Sequence, residues 1–258
     1  MFRPRVIPVL LLRNLGLVKS IKFKDYRYIG DPINAVKLFN DLRADELVFL
    51  DISASKENRK ISLDFVRKVG DESNMPFAVG GGIRTLLDIR EVLNSGAEKV
   101  IINTAAAENP EFIKQASQEF GSSTIVVCLD IKKKFLGNKN VVWIYSGSKA
   151  TSFDPLIYAR LMAENGAGEL LIQSIDYDGM MGGYDIDLIS SISNAVTIPV
   201  IACSGAGSYK HLYDAVRKAN ASAAAAGSLF VYHGPRRAVL ISYPTHEELI
   251  QLFNEDSD

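Results

Sequence analysis

The sequence repeats itself at a fixed separation of 123 positions. Segments in the first half match segments in the second half in one common register, and four such matches indicate duplication of a unit rather than chance. Each half should therefore contribute the same set of structural elements. The matched pairs are DELV at 45–48 with GELL at 168–171, MPFA at 75–78 with IPVI at 198–201, Gly82 with Gly205, and Asn103-Thr104 with Ala226-Gly227.

Short apolar runs alternate with helical patterns along the whole chain. The runs are continuous rather than alternating, which is typical of parallel strands buried on both faces. With 258 residues, 47% of them hydrophobic, a closed barrel fits better than an open sheet. We predict one (β/α)8 barrel over residues 1–258, with half-barrels at about 1–122 and 123–258. The predicted strands are 6–12, 47–52, 77–79, 99–103, 124–130, 169–173, 200–202 and 223–226.

One segment departs from this alternation. Residues 132–147 have the pattern of a β-hairpin inserted after the fifth strand, with Gly137-Asn138-Lys139-Asn140 as its turn. The hairpin would lie on the face where barrel enzymes keep their active sites. It is either a lid or docking element, or only a solvated, charged hairpin, and the sequence leaves both alternatives open.

The composition argues against several classes of protein. A formal net charge of -1 without a long run of one sign argues against binding to nucleic acid or to a membrane surface. Cys128 and Cys203 lie in apolar runs, which predicts buried, unpaired thiols in a cytoplasmic protein. The scattered histidines give no metal-ligand spacing and no nucleophilic triad, and there is no Walker-type loop. We expect no metal and no cofactor.

Each half carries one glycine-rich strand end followed by the start of a helix. Such turns offer backbone N–H groups, and the helix dipole favours an anion. We predict two phosphate-sized sites on opposite sides of the barrel mouth, although glycines that only permit tight turns would give the same pattern. The predicted phosphate-binding residues are Gly82, Asn103 and Thr104 in the first half, and Asp176, Gly179, Gly205, Gly227 and Ser228 in the second.

Carboxylates at strand ends are the natural acids and bases of this fold. The candidates are Asp51, Asp130, Asp176 and Asp178. Asp130 ends an apolar strand and should point into the mouth, where partial burial would raise its pKa. Asp176 lies in a glycine-flanked loop and is either catalytic or a structural cap. Lys19, beyond the first strand, could serve a phosphate or a loop, but an exposed lysine is the ordinary expectation.

Four motifs together resemble the cyclase subunit of imidazole glycerol phosphate synthase: DELVFLDI at 45–52, VGGGIR at 79–84, DIK at 130–132 and DYDG at 176–179. The resemblance covers nearly the whole chain. It implies a duplicated half-barrel, a phosphate site in each half and a glutaminase subunit on the N-terminal face. It also implies that ammonia crosses the barrel to a ribonucleotide at the other end. The charged ring that gates the entrance in that family corresponds here to Arg5, Glu46, Lys99 and Glu169.

The sequence departs from the family at one of its two catalytic aspartates. The aspartate at the end of strand five is present as Asp130, but the one at the end of strand one is replaced by Leu11, which cannot transfer a proton. Met180-Met181, Ser204 and the tail at 233–244 also depart from the family pattern. Losing an acid/base partner typically costs a factor of about 10²–10⁴ in rate, so we do not expect imidazole formation.

These departures resemble a paralogous branch of the family that is associated with acetamidino sugars of surface polysaccharides. In that branch a glutaminase, a barrel of this kind and an ATP-dependent sugar amidotransferase convert an acetamido group into an acetamidino group. The resemblance implies an ammonia-channelling subunit with a phosphate-bearing ligand. Two alternatives stay open: a genuine cyclase that uses Asp130 alone or with Asp176, and a non-catalytic scaffold that activates a glutaminase.

Overall fold

The structure, a computed structural model, describes residues 3–134 and 139–254, so Gly137 and Asn138 of the predicted turn lie outside the described residues. It contains a barrel of eight strands, three antiparallel additions and the helices between them. The barrel strands are β1 (Arg5–Arg13), β4 (Leu47–Asp51), β5 (Phe77–Gly80), β6 (Lys99–Ile102), β7 (Ile125–Lys133), β10 (Glu169–Ser174), β11 (Val200–Cys203) and β12 (Ala223–Ala226). The other strands are β2 (Gly16–Ile21), β3 (Lys24–Gly30), β8 (Asn140–Ile144), β9 (Lys149–Ala150), β13 (Tyr232–His233) and β14 (Ala238–Val239).

The helices connect the barrel strands and cover their outer face. They are α1 (Pro32–Asp41), α2 (Leu63–Glu72), α3 (Leu86–Asn94), α4 (Thr104–Glu108), α5 (Glu111–Phe120), α6 (Pro155–Glu164), α7 (Ile186–Ser193), α8 (Tyr209–Arg217), α9 (Ser228–Val231) and α10 (His246–Asn254). Among the described residues, no helix combines the length and the apolar composition that crossing a membrane requires.

The eight barrel strands form a closed parallel sheet. They pair in the order β1, β4, β5, β6, β7, β10, β11 and β12, and β12 pairs again with β1. This closure confirms the predicted (β/α)8 barrel. Each predicted strand falls on one barrel strand, and the bounds differ by no more than three residues.

Alternation of side chains divides the core into two layers. On β1, Val6, Leu10 and Leu12 pack outward against the helices, whereas Ile7 and Val9 pack inside the barrel. This follows from the two-residue period of a strand, since both faces of the sheet are buried. We call the space inside the barrel the lumen and its opening at the C-terminal strand ends the mouth.

Helix capping follows the sequence repeat. Asp31 caps α1 by accepting a hydrogen bond from Asn34 N at 2.9 Å, and Asp154 caps α6 by accepting from Leu156 N at 2.9 Å. Both caps stand directly before a proline at the first helical position, where its missing N–H costs nothing. The two caps are 123 residues apart, so both halves start their first helix in the same way.

Two hairpins extend the barrel at the mouth. Strand β8 pairs antiparallel with β7 in the segment predicted as an insertion. Strands β2 and β3 form a second hairpin on β1, which the sequence analysis did not predict. The two hairpins are related by the repeat, because β2 shifted by 123 positions falls on β8.

Candidate functional site

A cavity opens at the mouth, where the predicted catalytic and phosphate-binding residues converge. Asp130, Leu11 and Lys19 line it, together with Cys128 and Cys203, both buried and unpaired. Seven of the residues predicted to bind phosphate also line it: Gly82, Asn103, Thr104, Gly179, Gly205, Gly227 and Ser228. The cavity therefore gathers groups from both halves of the chain.

Asp130 is the carboxylate best placed for proton transfer at this cavity. It is 6% exposed, and Cys128 Sγ donates to its Oδ1 at 3.4 Å. Burial raises the pKa of Asp130 to about 7, the thiol hydrogen bond opposes that rise, and the nearby charge of Asp178 adds to it. A carboxyl group that titrates near neutral pH can both accept and return a proton.

Leu11 occupies the position in the first half that Asp130 occupies in the second. Leu11 pairs with Leu50 of β4, and Asp130 pairs with Gln173 of β10. Leu50 and Gln173 are themselves 123 residues apart, so the sheet register makes Leu11 the counterpart of Asp130. Leu11 belongs to the apolar cluster inside the barrel, which leaves the mouth with one carboxyl group of this pair.

Lys19 is buried at the mouth, so the expectation of an exposed lysine was wrong. Its side chain is carried inward because β2 folds back on β1, and only 5% of the residue is exposed. Lys19 Nζ donates to Val9 O at 2.7 Å. Burial lowers the pKa of Lys19 to about 8, while the negative charge of Asp178 opposes the shift. The mouth therefore contains a buried lysine, which the sequence analysis gave only as the alternative to an exposed one.

The two aspartates of the loop after β10 have different positions. Asp178 lines the cavity and accepts from Ser20 Oγ at 2.6 Å and from Phe23 N at 3.2 Å. Burial raises its pKa, while these hydrogen bonds oppose the rise. Asp176 instead accepts from Lys133 N at 3.3 Å and is not among the described residues that line the cavity. Asp178 thus fastens the β2–β3 hairpin to the mouth.

The side chains of Asn103 and Thr104 are engaged in holding the mouth together. Asn103 Nδ2 donates to Cys128 O at 3.0 Å and to Trp143 O at 3.3 Å. Thr104 Oγ1 donates to Asn103 Oδ1 at 3.3 Å and accepts from Tyr145 N at 3.1 Å. These contacts tie the end of β6 to β7 and β8, so both side chains are already engaged in hydrogen bonds within the protein.

The predicted phosphate-site glycines also satisfy local backbone requirements. Gly82 has a φ of +66° and a β-carbon there would overlap Arg59 O. Gly205 has a φ of +107° and a β-carbon there would overlap Gly183 O. Tight turns alone thus explain glycine at both positions, and phosphate binding stays a prediction.

At the opposite end of the barrel, four charged side chains form a closed ring. Arg5 pairs with Glu46 and, at 2.6 Å, with Glu169. Lys99 pairs with the same two carboxylates, at 3.4 Å with Glu46 and at 3.2 Å with Glu169. We call these four residues the charged ring. Its acids are 123 residues apart, whereas the position corresponding to Lys99 is Ser222, so only the acids follow the repeat.

Between the charged ring and the mouth the lumen is apolar. It is lined by aliphatic side chains, several of them small, from all eight barrel strands. The aliphatic side chains of this cluster carry neither charge nor hydrogen-bonding groups. The residues include Ile7, Val48, Ala78, Ile101, Val126, Leu171, Ile201, Ala223 and Ala225.

Within residues 3–134 and 139–254, no cluster of three or more His, Cys, Asp or Glu side chains could hold a metal ion.

Comparison with known proteins gives a consistent picture. The model of a family described as "Histidine biosynthesis protein" matches residues 5–235. A Pseudomonas aeruginosa protein named "Putative imidazole glycerol phosphate synthase subunit hisF2" is 45% identical over 249 residues, which cover 96% of this chain and 99% of that protein. A Leptospira borgpetersenii protein named "Putative imidazole glycerol phosphate synthase subunit HisF" is 44% identical over 253 residues, or 98% of this chain and 100% of its own length. An Alkaliphilus metalliredigens protein named "Imidazole glycerol phosphate synthase subunit HisF" is 44% identical over 233 residues, or 90% of this chain and 92% of its own.

Proposed function

The chain belongs to the histidine biosynthesis protein family, and on that basis we propose that it is the ammonia-using barrel subunit of a glutamine-dependent amidotransferase. The observation that carries the proposal is the combination of an intact charged ring and apolar lumen with a mouth that has Leu11 opposite Asp130. The charged ring and the apolar lumen that such a subunit would use are both present, whereas half of the acid/base pair is missing.

The two ends of the barrel suit different steps of this function. Ammonia is neutral and small, so an apolar lumen imposes no desolvation cost of the kind that a charged group would meet. The charged ring lies at the strand-start end, where a glutaminase would deliver ammonia. At the mouth, the attacking nitrogen must lose a proton when it forms its new bond to carbon. Asp130, with a pKa of about 7, would accept that proton.

We propose that the acceptor is an acetamido group of a nucleotide-linked sugar, which becomes an acetamidino group in surface polysaccharide synthesis. Support comes from the resemblance of the departures at Leu11, Met180-Met181 and the C-terminal tail to that branch of the family. Converting an amide into an amidine requires the amide oxygen to be activated as a leaving group. An ATP-dependent sugar amidotransferase would supply this activation at the mouth, since this sequence has no Walker-type loop.

Turnover of the phosphoribulosyl ribonucleotide substrate by the chain alone, with excess ammonium salt, tests the proposal. Ammonium replaces the glutaminase, so the assay reports only the chemistry of the barrel. We expect no release of imidazole glycerol phosphate from folded protein. Release at an ordinary enzymatic rate would instead establish a genuine cyclase, the alternative favoured by the near-neutral pKa of Asp130.

The glutaminase partner is tested separately at the charged ring. Reversing two charges with Glu46→Lys and Lys99→Glu should weaken binding of a family glutaminase at least tenfold, because the ring lies on the proposed docking face. Arg90→Glu is the matched control, since Arg90 pairs with Glu119 on the outer helices. Unchanged affinity in the ring variant would exclude this face.

A scaffold that only activates the glutaminase would keep full pathway activity in Asp130→Asn.

A further inference from the structure

The C-terminal tail, which departs from the family pattern, reaches the strand-start end of the barrel through Tyr243. Tyr243 is 7% exposed, and its ring packs on Phe230 with 5.3 Å between centroids. Its hydroxyl donates to Val6 O at 2.8 Å and accepts from Asp45 N at 3.3 Å. One phenol thus joins the first residues of β1 to the residues that precede β4.

The carboxylate of Asp45 completes this junction from the other side. Asp45 Oδ2 accepts from Val6 N at 2.9 Å, and both of its oxygens accept from Arg3 at 2.6 Å. The backbone of Val6 is therefore bonded at its N–H by Asp45 and at its carbonyl by Tyr243. We call Arg3, Asp45 and Tyr243 the tail clamp.

The tail clamp holds the two residues that stand next to members of the charged ring. Val6 follows Arg5, and Asp45 precedes Glu46, and Arg5 and Glu46 pair directly. Any change in the spacing of Val6 and Asp45 must therefore move one side of the ring. Val6 lies on β1, Asp45 precedes β4, and the ladder pairing of β1 with β4 begins only at Val9 and Val48, so the ladder does not fix this spacing.

We infer that Tyr243 is a positioning residue for the charged ring, and that the tail sets the geometry of the Arg5–Glu46 side of the ring. The consequence for ammonia entry rests on the proposed function, whereas the structural relationship does not. Of the four ring pairs, only Lys99–Glu169 contains neither Arg5 nor Glu46, the two residues that stand next to Val6 and Asp45. A defect in the clamp should therefore open the ring on one side.

Tyr243→Phe tests this inference, because it removes the hydroxyl and keeps the ring that packs on Phe230. Tyr184→Phe is the matched control: Tyr184 is also buried, and its hydroxyl donates to Ala225 O on β12 at 3.0 Å and not to a residue of the tail clamp or the charged ring. We expect amide hydrogen exchange at Arg5, Val6 and Glu46 to quicken about tenfold in Tyr243→Phe, as local opening does when one hydrogen bond is lost. The guanidinium NMR signal of Arg5, assigned through Arg5→Lys, should shift as well.

If Tyr243 had only a general structural role, both variants would show the same changes. The inference therefore requires that Tyr184→Phe leaves hydrogen exchange at Arg5, Val6 and Glu46, and the NMR signal of Arg5, as in the wild type. Equal effects, or no effect of Tyr243→Phe, would overturn it. If Tyr243→Phe does not fold, Asp45→Asn is the second variant, because it weakens the ion pair of Asp45 with Arg3. It should give a smaller change in hydrogen exchange at the same amides.

Failure of the proposed function can be distinguished from failure of the inference about Tyr243. Binding of a family glutaminase to the wild-type chain reports on that function alone, whereas hydrogen exchange in the isolated chain reports on the clamp alone. If the wild-type chain binds the glutaminase and the tail clamp controls exchange at the ring, Tyr243→Phe should lower glutaminase affinity several-fold, and Tyr184→Phe should not. Equal affinities of the two variants for the glutaminase would confine the role of the clamp to the barrel and overturn its proposed effect on the ammonia entrance.

Discussion

The ammonium nitrogen of Lys19 fills the space in which a side chain at Gly227 would begin. A β-carbon at position 227 would overlap Lys19 Nζ and would lie 3.1 Å from Val9 O, the carbonyl to which Lys19 donates. The backbone at Gly227 has a φ of -108°, which any residue adopts. Glycine is therefore required at position 227 because Lys19 occupies the space of a β-carbon, and not because of the backbone conformation.

Gly227→Ala should destabilise the protein by about 1–3 kcal/mol, the usual cost of overpacking, because Lys19 must leave Val9 O. In a Lys19→Ala background, Gly227→Ala should lower the free energy of unfolding only slightly, because the lysine side chain is no longer there. The coupling energy between the two positions should therefore be about 1–2 kcal/mol, measured from urea unfolding of the four proteins. Gly182→Ala is the control, since a β-carbon there meets nothing within 4 Å, and its cost should add to that of Lys19→Ala. Additivity of Gly227→Ala and Lys19→Ala would contradict the relationship.

Asp130 should make the protein less stable as the pH rises. Its pKa in the folded state is about 7, above the value of about 3.9 for an unfolded chain. Between these values the folded state holds a proton that the unfolded state has lost. Stability from this group is therefore full below about pH 4 and is lost as the pH rises towards 7.

Asp130→Asn removes this dependence, so the variant should gain stability relative to the wild type by about 2 kcal/mol between pH 5 and pH 7, at roughly 1.4 kcal/mol per pH unit. Urea unfolding at both pH values measures the difference. Asp88→Asn is the control, because hydrogen bonds from Lys60 and Thr85 outweigh burial and lower the pKa of Asp88, which places its titration below this window. A constant difference between Asp130→Asn and the wild type would show that Asp130 is already ionised at pH 5.

The barrel was predictable because parallel strands leave a simple trace. Each strand is buried on both faces and therefore appears as a short continuous apolar run. The β2–β3 hairpin has no such trace: β2 is mostly buried and β3 is mostly exposed. The repeat contained part of the missing signal, since the hairpin predicted at 132–147 corresponds to residues 9–24, where β2 folds back on β1.

The site was less predictable than the barrel because its polar contacts are tertiary. Asp130 and Leu11 could be placed at the mouth from their strand ends. The burial of Lys19 depends on a strand reversal, and the engagement of Asn103 depends on carbonyls of Cys128 and Trp143. No local pattern in the sequence encodes these contacts. The charged ring was identified through family resemblance, and its ion pairs exist only because the barrel closes.

Glu46 should be the most costly residue of the charged ring to remove. Only 4% of its side chain is exposed, and it pairs with both Arg5 and Lys99. Glu46→Ala leaves these two partly exposed cations with Glu169 alone, so we expect a cost of about 1–3 kcal/mol, below that of a fully buried charge that loses its only partner. Glu119→Ala, which breaks the exposed pair with Arg90, should cost less than about 1 kcal/mol. Urea unfolding measures both values, and equal costs would show that the ring is as hydrated as a surface pair.

Leu11→Asp tests whether the missing carboxyl group is what separates this mouth from a cyclase. The new side chain would replace a buried leucine opposite Asp130, so its pKa should be raised by burial and by the neighbouring carboxylate. We expect ammonium-driven release of imidazole glycerol phosphate to rise at least about 100-fold above the wild-type background, the lower end of what an acid/base group contributes.

Leu11→Asn is the matched control for this experiment, because it has the same size and polarity as Leu11→Asp but cannot transfer a proton. Both variants should lose about 2–5 kcal/mol of stability through the loss of buried apolar surface, so near-ultraviolet circular dichroism must show that each remains folded. Activity in Leu11→Asp alone would mean that the mouth still binds the ribonucleotide and lacks only its second acid. Inactivity of both folded variants would mean that the mouth itself has changed, because restoring the carboxyl group would then restore nothing.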